Sequence, residues 1–448
     1  IDRASIEALA RRAWDAPAAY PSLALSDSSV TRTRTAAPYC PHRLRIVNYI
    51  GPTALIRRED WLACGGWRDG AWDLWLRLPR LKPCPEAFCR LRTMPVDGDP
   101  PVQQTTLAAT FYTQRNAAQT YWRCQVPGRR LPAAVQPGPP THTLEPTLRF
   151  PEHRGAAVFA APGDGARAVV AALLQERGVP VLVEADDDYL GFSSVHARAG
   201  WARAVDGGSP HSTERHGVIV ASADAVIVAT EELARLYGRV NGNVFVCPNS
   251  IEPSDWPHVG EPDDGVVRIG WLASASHADD RELVEPALEW ASEQPGVEVV
   301  AMGVGRDSDG RPWWSFPHRY VAFDDDIDRY WHQMGRLDIG LAPVVPNEWS
   351  VYRSDLKALE YAMAGACPVL SEAPPYAGWH DEDGCLKAQS SDDFLRAVKR
   401  LVATPDDARA LAREARARVL AERTITASLW RWEEALATAA ERAAIGFR

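Results

Sequence analysis

At 448 residues the chain is too long for one ordinary core and calls for two or three domains; 46% hydrophobic and 24% charged residues is a globular composition. A formal charge of -10 argues against a broad nucleic-acid-binding surface, and no run of 18 apolar residues offers a membrane span. Eight scattered cysteines without zinc-type spacing point to reduced thiols rather than a disulfide framework, hence a cytoplasmic protein, with peripheral contact at the inner membrane face as an alternative.

Three blocks follow in chain order: 1–102, 103–262 and 263–448. The first is Pro- and Arg-rich around an apolar segment at 46–55 and a tryptophan-rich one at 61–78. The run TTLAATFYT at 105–113 reads as a strand, followed by a Pro/Gly-rich connection at 127–140 with the turn signal QPGPP. Strands are then expected at 156–161, 179–184, 225–229 and 244–247, with helices at 166–176 and 231–237 between them. A polar Pro- and Gly-containing stretch at 252–265 is a linker, after which the pattern restarts. Strands fall at 267–272, 297–302 and 339–342, helices at 281–293 and 326–336, and further helices fill 392–444. Alternating β/α segments on either side of a linker predict two Rossmann-like parallel sheets facing a cleft.

The segment SDLKALEYAMAGACPVL, 354–370, holds the most chemistry. Leu356, Leu359 and Met363 make one buried helix stripe, Ser354 is the expected N-cap, Asp355 complements the helix dipole, and Gly365 ends the helix. Lys357 and Glu360 share one face, three residues apart. On spacing alone an exposed ion pair worth about 0.2–0.5 kcal/mol is the default. Yet lysine occurs only at 82, 357, 387 and 399 in this arginine-rich chain, so its presence beside a sheet edge is notable. Asp186, Asp187 and Asp188 close another strand. They read as cleft carboxylates, as an N-cap or as metal ligands, in that order of preference.

The residues 339–379 (IGLAPVVPNEWSVYRSDLKALEYAMAGACPVLSEAPPYAGW) resemble the donor-site signature of GT-B glycosyltransferases of the family-4 type, closest to an O-antigen, cell-surface and phage branch. Tyr121-Trp122-Arg123, VEADDDYL at 183–190, the run 222–250 and RIGWLASASHADD at 268–280 are similar to further elements of that branch, in order. Residues 48–78 resemble instead the C-terminal part of a family-2-type GT-A enzyme. Gly70 and Ala71 stand where that family keeps its presumed base, and only Asp73 survives. The resemblance therefore implies a partial GT-A-like remnant over 1–102, a GT-B acceptor-side domain over 103–262 and a nucleotide-sugar donor domain over 263–448.

What the resemblance implies for activity is retaining transfer from a nucleotide sugar, a substrate rather than a cofactor, to a glycan, lipid-linked or protein acceptor, without an essential metal. Glu360 would hold the donor ribose, and Lys357 with Arg353 would stabilise the diphosphate leaving group. Ser354, His277, Ser274, Ser276 and Gly270 complete the implied donor site. His277 would replace the customary loop cation, and the amides of 273–276 would cradle phosphate. Asp187 and Asp188 are candidate catalytic carboxylates, with Asp186, Arg123 and Asn249 on the acceptor side. Tyr352 departs from the pattern, occupying the place of a sugar-contacting Glu. Trp313 and Trp314 read as sugar platforms or as packing. The rivals are an inactive nucleotide-sugar or glycan-binding module, and a metal-dependent transferase using Asp186–Asp188.

Overall fold

The computed structural model describes residues 108–113, 117–137, 155–161, 165–191, 212–256, 264–273, 275–306, 310–322 and 326–446. Of the earlier chain it gives the backbone of β1 (Ala18–Ser26), β2 (Thr31–Arg34), β3 (Leu55–Ile56) and β4 (Leu81–Arg92); β1 pairs antiparallel with β2 and β3 and parallel with β4. Gly70, Ala71 and Asp73 of the GT-A-like stretch lie outside the described residues, as does Ser274.

Two six-stranded sheets follow. The first contains β5 (Ala109–Thr113), β6 (Ala133–Pro137), β7 (Ala156–Ala160), β8 (Val181–Ala185), β9 (Ala225–Val228) and β10 (Val244–Val246), in the order β10-β9-β8-β7-β5-β6. The second contains β11 (Val267–Leu272), β12 (Val297–Met302), β13 (Arg319–Val321), β14 (Ile339–Ala342), β15 (Cys367–Ser371) and β16 (Leu386–Ala388), in the order β13-β12-β11-β14-β15-β16. All their pairings are parallel. Central strands such as AAVFA and CPVLS are buried along their whole length, because helices cover both faces of a parallel sheet. The expected fold is therefore present. β6, β13 and β16 are strands that periodicity does not announce: one lies in the Pro/Gly-rich connection, and the other two have three residues each.

Each sheet reverses its winding once. In the second sheet β11, β12 and β13 run outward one way and β14, β15 and β16 the other, so β11 and β14 flank a switch point. The loops beyond the carboxyl ends of such strands diverge and leave a crevice. The helix Leu356–Ala364 follows β14 and stops at Gly365, whose φ of 83° is the left-handed value a glycine accepts readily. Ser354 is not its N-cap. Asp355 occupies that place and makes no side-chain cap; its carboxylate instead takes Arg423 Nη2 at 2.9 Å and Trp379 Nε1 at 3.0 Å.

Two features join the sheets. The last helix, Ile425–Gly446, returns to pack on the first sheet, and Trp432 lies 6.0 Å from Phe111 between ring centroids. On the other side a dry aromatic seam brings Trp331 of the second domain against Tyr121 at 4.8 Å and Trp256 at 4.6 Å, with Trp122 at 6.0 Å. Tyr121 and Trp122 sit on a π-helical turn, Tyr121–Gln125, which presents successive side chains to the seam and to the first sheet.

Candidate active site

The switch point of the second sheet gathers the residues singled out in the sequence. Tyr361 fixes the helix 356–364 there. Its ring fills the space over Gly340, where a Cβ would collide, its hydroxyl donates to the Leu341 carbonyl at 3.0 Å, and it accepts from the Leu272 amide at 3.2 Å. One turn earlier on the helix, Lys357 Nζ donates to Glu360 Oε2 at 2.7 Å. Glu360 is buried at 3% exposure, and its other partner is Tyr330, whose hydroxyl donates to the same Oε2 at 3.2 Å. Lys357 also donates to the Tyr330 oxygen. The pair is therefore not a solvated surface pair. Burial works against the Lys357 charge, but the adjoining Glu360 carboxylate outweighs it and raises the ammonium above its ordinary value. Both bonds to Glu360 land on Oε2, leaving Oε1 without a partner among the described residues.

Beside this pair lies a second cluster drawn from both loops of the switch point. Arg353 stacks on the Trp349 indole, its guanidinium carbon 3.5 Å from the ring centroid, and its Nη1 stands 2.9 Å from His277 Nδ1. The same Nδ1 is 2.8 Å from Asp280 Oδ2. A neutral ring satisfies only one of these contacts at a time: Nδ1 bonds to Arg353 as an acceptor and to Asp280 as a donor. The other Asp280 oxygen accepts the Val345 amide at 2.8 Å, so this carboxylate pins the β11 loop to the β14 loop. Burial and the Arg353 charge push the His277 imidazole down to about 4. A ring held that low is neutral at pH 7 in the ligand-free protein. The positive charge belongs to Arg353 and Lys357.

The first domain meets this cluster through the end of β8. Asp187 Oδ1 accepts from Trp349 Nε1 at 2.9 Å, a direct bond between the domains. Asp186 is held by Tyr189 at 2.7 Å and Gln119 at 2.9 Å. Asp188 is 1% exposed and accepts the Gly191 amide at 3.1 Å, which ties it to its own turn rather than to the cleft. Arg123 is likewise internal: at 1% exposure it donates to Glu184 at 2.6 Å, the Cys247 carbonyl at 2.7 Å and Asn249 Oδ1 at 3.1 Å. Burial pushes the Glu184 carboxyl up while Arg123 pulls it back. Asn249 passes the chain on, its Nδ2 donating to Ser354 Oγ at 2.8 Å. Arg123 thus supports Asn249 and Ser354 from beneath instead of facing a ligand.

The remaining residues expected in the donor site have these places in the fold. Gly270 lies inside β11, where the Leu337 side chain packs against its Cα, so its bareness makes room for the turn that leads into β14. The Ala273 amide is taken by the Met302 carbonyl at 3.0 Å. Ser276 lies in the 3-10 turn Ala275–Asp280. Trp314 is core, 5% exposed and stacked on Phe316, with Trp313 against Trp271. Tyr352 packs against the apolar cluster of the first domain. Among the described residues no three His, Cys, Asp or Glu side chains are grouped to hold a metal, and no helix is long and apolar enough to cross a membrane.

Tyr330 lies outside every motif read from the sequence, whereas Asp280 and Trp349 fall inside the segments 268–280 and 339–379 without being singled out there. Only the placement of Asp280 and Trp349 in the two loops after β11 and β14 hinted at them. A separate pocket of about 490 Å³ is lined by Met302, Val321, Asp328, Arg329, His332 and Gln333 and includes none of these site residues.

Residues 281–434 match the family model described as glycosyl transferase-like. No curated protein matches the sequence. Among solved structures, Anabaena HepE in complex with UDP-glucose is 13% identical, with 74% of this chain and 100% of that chain covered and a TM-score of 0.50. Staphylococcus aureus TarM, solved with Fondaparinux, alpha-GlcNAc-glycerol and UDP, is 13% identical over 62% of this chain and 55% of that one, at a TM-score of 0.45. A trehalose 6-phosphate synthase from Burkholderia multivorans is 15% identical over 65% and 72%, at 0.42. The HepE likeness shows a shared fold. Residues 281–434 are thus glycosyl transferase-like, and they lie within a two-sheet α/β architecture of the GT-B kind.

Proposed function

We propose that this protein transfers a sugar, with retention and without an essential metal, from a nucleotide sugar to a carbohydrate, lipid-linked or protein acceptor, as in the family-4 branch it resembles. Residues 263–448 bind the donor, 103–262 face the acceptor, and 1–102 are a GT-A-like remnant. The observation that carries the reading is the state of Glu360: its Oε2 is fixed by Lys357 and Tyr330, and its Oε1 has no partner among the described residues. A buried carboxylate so arranged accepts hydroxyl hydrogen bonds, as a ribose offers. Lys357 and Arg353 alongside supply two positive charges for a departing diphosphate, where charge stabilisation counts most. Asp187, bonded to Trp349 across the cleft, is the carboxylate placed to meet an acceptor hydroxyl or the transferred sugar. Closure over both substrates would exclude water and limit donor hydrolysis.

The test is a panel of nucleotide sugars assayed for hydrolysis and transfer before and after exhaustive EDTA treatment. Turnover of one donor that survives chelation, with the anomeric configuration kept in the product, is the expected result. Loss of turnover on chelation, restored by a divalent cation, would move the chemistry to a metal. Binding without turnover for every donor would leave a sugar-nucleotide-binding module.

A further inference from the structure

Tyr376 stands out among the polar side chains around the switch point. It ends the 3-10 turn Pro374–Tyr376 that follows β15, and this turn packs against the turn Ser350–Tyr352 just ahead of Arg353. Its carbonyl accepts Lys387 Nζ at 2.7 Å, which fixes the turn from behind. The ring is 3% exposed and belongs to the same apolar cluster as Leu359, Met363 and Trp379. Yet its hydroxyl makes no hydrogen bond to any described residue. That oxygen is not among the buried polar atoms left without a partner, so the small exposed part of this side chain includes the hydroxyl, which can reach a ligand.

The charges acting on that hydroxyl are Arg353 and Lys357 first, then Asp280 and Asp355. Burial holds the phenol well above its ordinary ionisation range, so it stays an O–H donor at any working pH. Arg353 and Lys357 have donors only. Two cations and an O–H donor that no described residue engages are complementary to an oxyanion.

We infer that the Tyr376 hydroxyl donates a hydrogen bond to a phosphoryl oxygen of the bound diphosphate, as a third ligand beside Lys357 and Arg353. The inference rests on the donor-site reading above and adds a neutral donor to its two cations.

Calorimetric binding of UDP, GDP, ADP, inorganic pyrophosphate and the free nucleosides tests this on wild type, Tyr376→Phe and Lys357→Ala. The Phe variant keeps the ring and removes only an unpaired hydroxyl, so its melting temperature should equal that of wild type; melting curves verify this for both variants. For the preferred nucleoside diphosphate and for pyrophosphate, Tyr376→Phe should bind roughly ten- to a hundredfold more weakly, the usual worth of a hydrogen bond to a charged group. Its affinity for the nucleoside alone should not change. Wild-type affinity in Tyr376→Phe, with Lys357→Ala still impaired, overturns the role of Tyr376 and leaves the donor site standing. An equal loss for nucleoside and diphosphate overturns it too, since the effect would then be structural. If wild type binds none of the nucleotides, the donor-site reading fails and this inference with it.

Discussion

Trp349 Nε1 donates to Asp187 Oδ1 at 2.9 Å, and the face of the same indole carries the Arg353 guanidinium. One side chain of the β14 loop therefore touches the β8 end of the first domain and a cation of the second. Removing the bond should loosen the two halves without dismantling either. Trp349→Phe and Asp187→Asn, singly and together, form a double-mutant cycle in which a coupling of about 1 kcal/mol is expected for a partly exposed charged hydrogen bond. Denaturant melts of the four proteins measure it. Strictly additive effects would show that the contact carries no energy between the domains.

The buried pair at the start of the helix makes a separate prediction. Lys357→Met leaves the Glu360 carboxylate buried with Tyr330 alone, and should cost about 1–2 kcal/mol, less than a fully buried pair because Lys357 keeps a quarter of its side chain exposed. Adding Glu360→Gln removes the orphaned charge and should return much of that stability. Transfer should stay about 10²–10³-fold down in both variants, as when a transition-state donor is lost. Activity that recovers together with stability would mean that the pair serves only the fold.

How much of this was legible in the sequence follows from how local each contact is. β11, β12 and β14 were readable to the residue because each is an apolar run bounded by polar or turn residues. β13, Arg319–Val321, was not: three half-buried residues with no apolar repeat cannot be told from a loop. Lys357 and Glu360 were legible because one helix face sets their spacing. Tyr330 comes from another helix 27 residues before Lys357, so no spacing announces it. The state of His277 was not legible, because burial and the neighbouring Arg353 exist only after folding. Arg123 was found by motif but placed on the cleft; only packing reveals Glu184 and Cys247 around it.

His277 gives a pH dependence whose sign is fixed. Its folded value of about 4 lies below the ordinary 6.5, so between these two pH values the unfolded chain binds a proton that the folded ring refuses. Stability therefore falls as pH drops from about 6.5 to about 4, and this group has no effect above that window. The shift corresponds to about 3 kcal/mol over the whole range. His277→Asn should show a shallower loss than wild type between neutral pH and the bottom of the window. Asp280, Arg353 and Lys357 face the ring in both proteins, so the difference isolates the imidazole. Parallel stability curves would remove His277 as the titrating group.

The aromatic seam predicts how the two domains unfold. Trp331 is 1% exposed and meets Tyr121, Trp122 and Trp256, which belong to the first domain and the connecting stretch. Trp331→Ala removes the common member and should cost about 3–5 kcal/mol, the usual range for a buried large aromatic. Because the lost contacts lie mainly between the sheets, the loss should separate their unfolding, and scanning calorimetry should resolve two transitions where wild type gives one. Trp271→Ala is the control. Trp271 is equally buried, but its aromatic neighbours Trp313 and Trp314 belong to the second domain. It should lower the melting temperature of that domain without weakening the seam itself. If both variants melt in one transition of equal sharpness, the coupling runs through the returning helix Ile425–Gly446, and Trp432→Ala, which loses the contact with Phe111, becomes the variant that splits them.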